Sequence, residues 1–161
     1  MRENGGVNRK LLLLSGLLVA TGAPVVALFG MAAQSRTDLE VVFDGQRLRP
    51  CPSKPNCVCS QDEGEARVDP IELGAPGEEA FAAFLERVGA EEGAGEVLRR
   101  GSYAHFTFDT ALFGFRDDVE FLHVPAEGLV HVRSASRVGH SDLGANAARV
   151  ERLRALVGER P

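Results

Sequence analysis

The sequence lacks the excess of basic residues that a nucleic-acid-binding protein needs to neutralise phosphates. Its 161 residues carry 18 Lys+Arg against 23 Asp+Glu, which gives a formal net charge of −5. Three of the basic residues and one acidic residue precede Gln34, so the rest of the chain has a net charge of −7. This acidic body argues against a nucleic-acid partner.

Several familiar signatures are also missing. The chain has no phosphate-binding loop, no dinucleotide-binding glycine motif, no internal repeat and no low-complexity tract, so we predict no cofactor. Hydrophobic residues make up 44% of the chain, which excludes a disordered protein. The 128 residues that start at Gln34 suffice for one domain with a hydrophobic core, but not for two.

One long apolar run is present near the N-terminus. It extends from Leu11 to Ala33 without a charge and directly follows Arg9 and Lys10. A helix of this length rises roughly 35 Å, enough to span a hydrocarbon core of about 30 Å. Because the basic flank favours a cytoplasmic N-terminus, we predict a single-pass anchor in the inner (cytoplasmic) membrane, with the body in the periplasm. The alternative is a signal peptide that is cleaved near Ala32, which would release a secreted body.

The chain then divides into a cytoplasmic flank (residues 1–10), the anchor (11–33), a linker (34–47) and one domain (48–161). Helices are predicted over residues 76–88 and 142–157, and strands over residues 96–100, 103–109, 116–124 and 129–136. Consecutive strands with short connections pair antiparallel. We therefore expect an α+β domain, with a sheet of about four to five strands and both helices packed on one face.

Each predicted helix has an apolar stripe at helical spacing. The stripe of the first helix contains Phe81, Phe84, Leu85 and Val88. The stripe of the last helix contains Leu143, Ala147, Val150, Leu153 and Val157. Arg149 lies largely off that stripe, and Ser141 is predicted as the N-cap of the last helix.

The register of the last hairpin is predicted from its pattern alone. Pairing Val124 with Leu129 places Glu120 opposite Arg133. One face then collects Val119, Phe121, Val130 and Val132, and the other collects Asp118, Glu120, Leu122, His131, Arg133 and Ala135. A slip of one residue would bring charges into the apolar face, which burial forbids.

Three stretches, taken together, resemble a known family. They are residues 48–61, with the pattern Cys-Pro-x-x-Pro-Asn-Cys, residues 113–121, and residues 131–150, with Arg-Ser-x-Ser-Arg-x-Gly followed by Asp-Leu-Gly. The combination is similar to the domain-of-unknown-function 1499 family of bacteria and plastid-bearing organisms, from Gly45 to Leu156. Members often follow a membrane or export segment. The family has no established activity, so the resemblance gives no catalytic residue to transfer.

The chain has three cysteines, Cys51, Cys57 and Cys59, and a disulfide is the default expectation outside the cytoplasm. Cys51 and Cys57 flank a turn-forming stretch and match the two cysteines of the family, whereas Cys59 stands where the family usually has a small residue. We therefore predict a structural Cys51–Cys57 disulfide. We predict no metal site, although zinc held by the thiols and a histidine such as His105 is an open alternative, as is a redox role for an exposed Cys59.

A cluster of charged residues lies on the hairpin face that the helices leave open, unless a partner or the N-terminal loop covers that face. On one hypothesis, Asp118, Glu120, Arg133 and Arg137 form a ligand-binding site whose arginines hold the carboxylate or phosphate of a small anionic ligand. On the other, the cluster is structural, and Glu120–Arg133 is a cross-strand ion pair worth roughly 0.2–1 kcal/mol if exposed. We predict no catalytic residue, because no nucleophile motif frames the nearby serine, histidine and aspartate.

These observations predict an extracytoplasmic domain that is tethered to the membrane and has a binding or assembly role at the cell envelope. Its expected partners are the membrane, through Leu11 to Ala33, and an envelope protein or a small anionic ligand. The alternative is a small-molecule-processing enzyme that uses the charged cluster of Asp118, Glu120, Arg133 and Arg137.

Overall fold

The computed structural model describes residues 24–37 and 43–158. Residues 24–35 form helix α1. The later helices are α2 (Glu78–Ala90) and α3 (Ala145–Ala155), and a single 3-10 turn covers Gly64–Ala66. The strands are β1 (Cys57–Cys59), β2 (Ile71–Glu72), β3 (Ala94–Arg100), β4 (Tyr103–Asp109), β5 (Arg116–Val124) and β6 (Leu129–Ser136).

The strands form one antiparallel sheet in the order β1-β6-β5-β4-β3, and β2 also pairs with β6. The predicted α+β class is confirmed, but the sheet has six strands rather than four to five. The two additional strands are short and lie one after the other along the same edge of β6, where Cys57 pairs with Ala135 and Ile71 pairs with Val130. The predicted hairpin register is confirmed, with Val124 opposite Leu129 and Glu120 opposite Arg133.

Both α2 and α3 pack on one face of the sheet, as predicted, and close the main hydrophobic core there. We call this the helix face. Phe121 of β5 lies at its centre, with ring centroids 5.4 Å from Phe84 of α2 and 5.9 Å from Phe106 of β4 in edge-to-face geometry. All three rings are buried, and each contributes roughly 1.5–3 kcal/mol of hydrophobic stabilisation. The predicted stripe of α2 is the one that is buried.

The opposite face of the sheet, which we call the second face, is covered by the chain itself. Residues 43–50 cross it without regular structure, and the end of α1 packs beside them. The ring of Phe43 stacks on Tyr103 at 4.1 Å, and Leu48 is buried with Tyr103 and Leu122 in a second, smaller apolar cluster. The face that the sequence leaves open therefore has a cover, and part of the predicted linker provides it.

The start of α3 differs from the prediction. The helix begins at Ala145 after Gly144, so Ser141 is not its N-cap. The Asp142 carboxylate instead accepts hydrogen bonds from the backbone N–H groups of Gly144 and Asn146. Leu143, which was expected in the apolar stripe, is 96% exposed with φ 55°.

Two of the three cysteines form the predicted disulfide, and the third is buried. Cys51 and Cys57 form a disulfide, with their Cα atoms 5.6 Å apart. Cys59 is free and fully buried, which does not support the alternative of a redox role for an exposed Cys59. Burial raises the pKa of its thiol, which disfavours the reactive thiolate.

The predicted anchor lies mainly outside the described residues, which include only positions 24–33 of it, within α1. Among the residues that the structure describes, no helix is both long and apolar enough to cross a membrane. Ala32, near the end of the apolar run, is buried, as is Ser35, two residues after the run.

Candidate functional site

The four predicted site residues come together on the second face. Asp118 and Glu120 are two residues apart on β5, so both side chains point to the same side of the sheet. Arg133 lies opposite Glu120 on β6, and Arg137 follows the end of that strand. Their side chains and those of Arg49, Tyr103 and His105 form what we call the polar centre.

Glu120 is fully buried in the polar centre and accepts hydrogen bonds from three side chains. Arg133 Nη1 donates to its Oε2 at 2.7 Å, and Tyr103 Oη donates to its Oε1 at 2.9 Å. Arg49 donates to both oxygens, from Nε at 3.4 Å and from Nη2 at 3.3 Å. Two guanidinium groups thus share one carboxylate, which leaves this part of the centre with a surplus positive charge.

Asp118 forms the other half of the polar centre. Arg137 donates to both of its oxygens, from Nε at 2.9 Å and from Nη2 at 2.7 Å, and His105 Nε2 lies 2.8 Å from Oδ1. Burial alone would raise the pKa of this carboxyl group. The hydrogen bonds from His105 and Arg137 outweigh burial and lower the pKa of Asp118 to about 2.

Arg137 also connects the polar centre to the N-terminal part of the chain. Its Nη1 donates to the backbone carbonyls of Ser35, the last residue of α1, at 3.1 Å and of Thr37 at 2.9 Å. Ser35 Oγ in turn accepts a hydrogen bond from the backbone N–H of Arg116, at the start of β5. The end of α1 therefore covers the Asp118 half of the centre and is held there by hydrogen bonds.

The polar centre reaches the surface mainly through Arg49. The Arg49 side chain is 40% exposed, whereas those of Glu120 and Arg133 are buried. Arg49 lines a surface groove of about 430 Å³, whose other lining residues are Asp44, Arg47, Leu48, Pro50 and Asp62. A ligand in this groove would meet Arg49, while the four predicted site residues would lie behind it. An enzyme that uses Asp118 or Glu120 to contact its substrate would need the covering segment to move away.

A further buried ion pair lies on the helix face and was not predicted. Arg149 Nη2 donates to the Asp117 carboxylate at 2.6 Å, and Arg149 Nη1 donates to Ser134 Oγ at 2.9 Å and to Asn146 Oδ1 at 2.6 Å. Burial raises the pKa of Asp117 despite the opposing effect of Arg149. Arg149 is one residue before Val150 on α3. Its position beside the apolar stripe is the only feature of the sequence that could have indicated its burial.

The zinc alternative is not supported. Cys51 and Cys57 are joined to each other, and the His105 ring bonds to Asp118. Within residues 24–37 and 43–158, no group of three His, Cys, Asp or Glu side chains is arranged to hold a metal ion.

Comparison with known proteins adds one finding to this geometry. A family model described as "Protein of unknown function (DUF1499)" matches residues 47–157, more than half of the chain. The chain belongs to the DUF1499 family. The family match contains the disulfide, the sheet, α2, α3 and the whole polar centre with Arg49, whereas α1 and Phe43 precede it. No curated protein and no solved structure matches the chain.

Proposed function

We propose that this DUF1499 protein is a single-pass membrane protein whose domain lies outside the cytoplasm and has a binding role at the cell envelope. The observation that carries the location is the Cys51–Cys57 disulfide, because structural disulfides persist in oxidising compartments and are rare in the cytosol. The apolar run of residues 11–33 behind Arg9 and Lys10 supports the tether and its orientation.

The binding role is proposed for the groove beside Arg49, with a carboxylate- or phosphate-bearing small molecule as the ligand. Arg49 and Arg133 share the single charge of Glu120, and Arg49 is the partner that reaches the groove. A guanidinium held in this way offers donors in a fixed orientation, which suits bidentate recognition of a planar or tetrahedral anion. In this proposal Glu120 and Arg133 position Arg49 and do not contact the ligand.

The location is tested on the full-length, C-terminally tagged protein. We expect it to sediment with membranes and to resist extraction by alkaline carbonate. Intact mass after alkylation should show no more than one reactive thiol without reductant, under denaturing conditions, and three with it. Full-length protein in a soluble fraction would contradict the tether, and three reactive thiols without reductant would contradict the oxidising location.

The groove is tested with inorganic phosphate as the probe, by thermal unfolding of the full chain in detergent. Phosphate that binds the folded state should raise Tm in a concentration-dependent way. Arg49→Gln should abolish this increase, whereas Arg100→Gln, an exposed arginine on β3 at the far edge of the sheet, should keep it. An equal increase in the Arg49→Gln variant would contradict the proposed groove.

A further inference from the structure

The exposed hydrophobic side chains of the domain are concentrated at one end of the sheet. Seven large hydrophobic residues are exposed in the described part of the chain, and all but Val97 lie in α1 or in two loops. We call these six residues the apolar rim: Val25, Val26, Phe29, Met31, Leu112 and Leu143. Scattered surface hydrophobics are ordinary, but exposed hydrophobic side chains that are grouped on neighbouring elements indicate an interaction surface.

The two loops lie at the same end of the sheet because of the strand register. Residues 110–115 connect the end of β4 to the start of β5, where Asp109 pairs with Arg116. Residues 137–144 follow the end of β6, where Ser136 pairs with Asp117. Leu112 and Leu143, at 79% and 96% exposure, therefore project from neighbouring loops. Leu143 also has a positive φ, a backbone conformation that residues other than glycine rarely adopt.

Helix α1 joins these loops and fixes the direction in which the chain leaves them. The Phe29 ring contacts the Phe113 ring edge-on at 5.7 Å, and Arg36 Nε donates to the Gly114 carbonyl at 3.0 Å. Gly114 has φ 67°, and a Cβ at this position would collide with the Arg36 guanidinium. The C-terminal end of α1 is thus attached to the sheet, while Pro24, its first described residue, lies within the apolar run that begins at Leu11.

We propose that the apolar rim rests in the interfacial layer of the lipid bilayer, with Leu112 and Leu143 inserted beside α1. This inference rests on the proposed tether. An apolar run that spans the bilayer and continues into α1 brings the membrane surface to the rim, so the bilayer is the proposed occupant. The exposed Arg36 lies next to the rim, at the level expected for a cation among lipid headgroups. Glu91 and Glu92 line the adjacent depression with Ala111 and limit the rim on that side.

The chain has no tryptophan, so single-tryptophan variants report directly on each position. The full chain is reconstituted into phosphatidylcholine vesicles that contain brominated lipids, which quench tryptophan within the bilayer. The test variants are Leu112→Trp and Leu143→Trp, whose side chains are exposed and remove no buried contact. The control is Ala126→Trp, in the exposed β5–β6 turn at the opposite end of the sheet. Leu18→Trp, within the apolar run, reports on the tether alone.

We expect quenching and a blue-shifted emission for Leu112→Trp and Leu143→Trp, and neither change for Ala126→Trp. Quenching of Leu18→Trp without quenching of the two loop variants would overturn the rim docking and leave the tether intact. Absence of quenching in Leu18→Trp, Leu112→Trp and Leu143→Trp would overturn both the rim docking and the tether. A blue shift without quenching would place the loops against protein, such as a second copy, and would also overturn the proposal. Quenching of the loop variants but not of Leu18→Trp would support the docking and contradict the tether.

Discussion

The two faces of the sheet are closed in different ways, and the adjacent residues Asp117 and Asp118 show the consequence. The helix face is covered by α2 and α3 over an apolar core, whereas the second face is covered by an irregular segment over a polar centre. Both carboxylates are buried, yet the pKa of Asp117 is raised and that of Asp118 is lowered. Burial disfavours both charges. The difference is that Asp118 accepts two hydrogen bonds from Arg137 and one from His105, which outweigh its burial. The hydrogen bonds of Arg149 and Ser136 to Asp117 do not outweigh the burial of that carboxylate.

The largest expected effect comes from Arg149→Ala on the helix face. This change leaves Asp117 buried without its cation, and we expect a loss of about 3–5 kcal/mol in the free energy of unfolding at pH 7. Arg133→Ala on the second face should cost clearly less, because Glu120 keeps Tyr103 and Arg49 as partners. Urea denaturation of both variants measures the difference. Equal losses would mean that the two faces do not differ in how they compensate a missing charge.

The disulfide allows a test of the second face alone, because it connects the end of the covering segment to β1. Replacing both cysteines, by Cys51→Ala and Cys57→Ala, should lower the free energy of unfolding by roughly 2 kcal/mol. Hydrogen exchange should accelerate in residues 43–59 before it changes in α2. The control is Cys59→Ala, which keeps the bridge. Loss of protection in α2 at the same rate would show that the two faces open together.

The two carboxylates also predict opposite pH dependences. The folded pKa of Asp118, about 2, lies below its ordinary value of 3.8, so its stabilisation is present above pH 4 and is lost as the pH falls from about 4 to 2. The shift corresponds to about 2 kcal/mol at pH 7. The contribution of Asp117, with its raised pKa, is present below pH 3.8 and is lost as the pH rises through the folded pKa.

Asp118→Asn should therefore weaken the acid dependence of unfolding, measured by denaturation between pH 2 and pH 7. The matched control is Asp109→Asn, a partly exposed carboxylate paired with Arg116, which should change the slope less. An unchanged slope for Asp118→Asn would contradict the lowered pKa.

The smallest expected effect concerns the covering segment itself. Phe43→Ala removes a ring that stacks on Tyr103, and we expect a loss of about 1 kcal/mol, against about 3–5 kcal/mol for Phe121→Ala on the helix face. Tyr103 is the one tyrosine of a chain without tryptophan, so its fluorescence reports on this cover. Phe43→Leu should keep most of the stability. A cost for Phe43→Ala as large as that for Phe121→Ala would remove the distinction between cover and core.

Much of the sheet could be predicted from the sequence. The bounds of β4, β5 and β6 agree with the predicted strands because each strand is long, alternates in polarity and ends at a turn. The β5–β6 register followed from the same alternation, since a slip would have buried Glu120 and Arg133 in the core. This register also placed Asp118, Glu120 and Arg133 on one face and so predicted three of the seven residues of the polar centre.

The rest depended on contacts that a local pattern does not contain. β1 and β2 have three and two residues, too few for a period, and exist through their pairing with β6. Arg49 joins the polar centre across 71 positions of sequence. The buried stripe of α3 contains Asn146 and Arg149, which a search for apolar residues excludes, and omits Leu143. Their buried positions depend on partners from other elements, Ser134 and Asp117.

The pairing of β1 with β6 also has a consequence for the order of assembly. β3 to β6 are consecutive neighbours and can form from local contacts. β1 and β2 pair with β6, so they can join the sheet only after this last strand has been synthesised. Cys51 and Cys57 are only six positions apart, so they can meet while that strand is still missing. Oxidation of the chain and completion of its sheet are therefore separable steps, and the chain can acquire its bridge before it has a fold to stabilise.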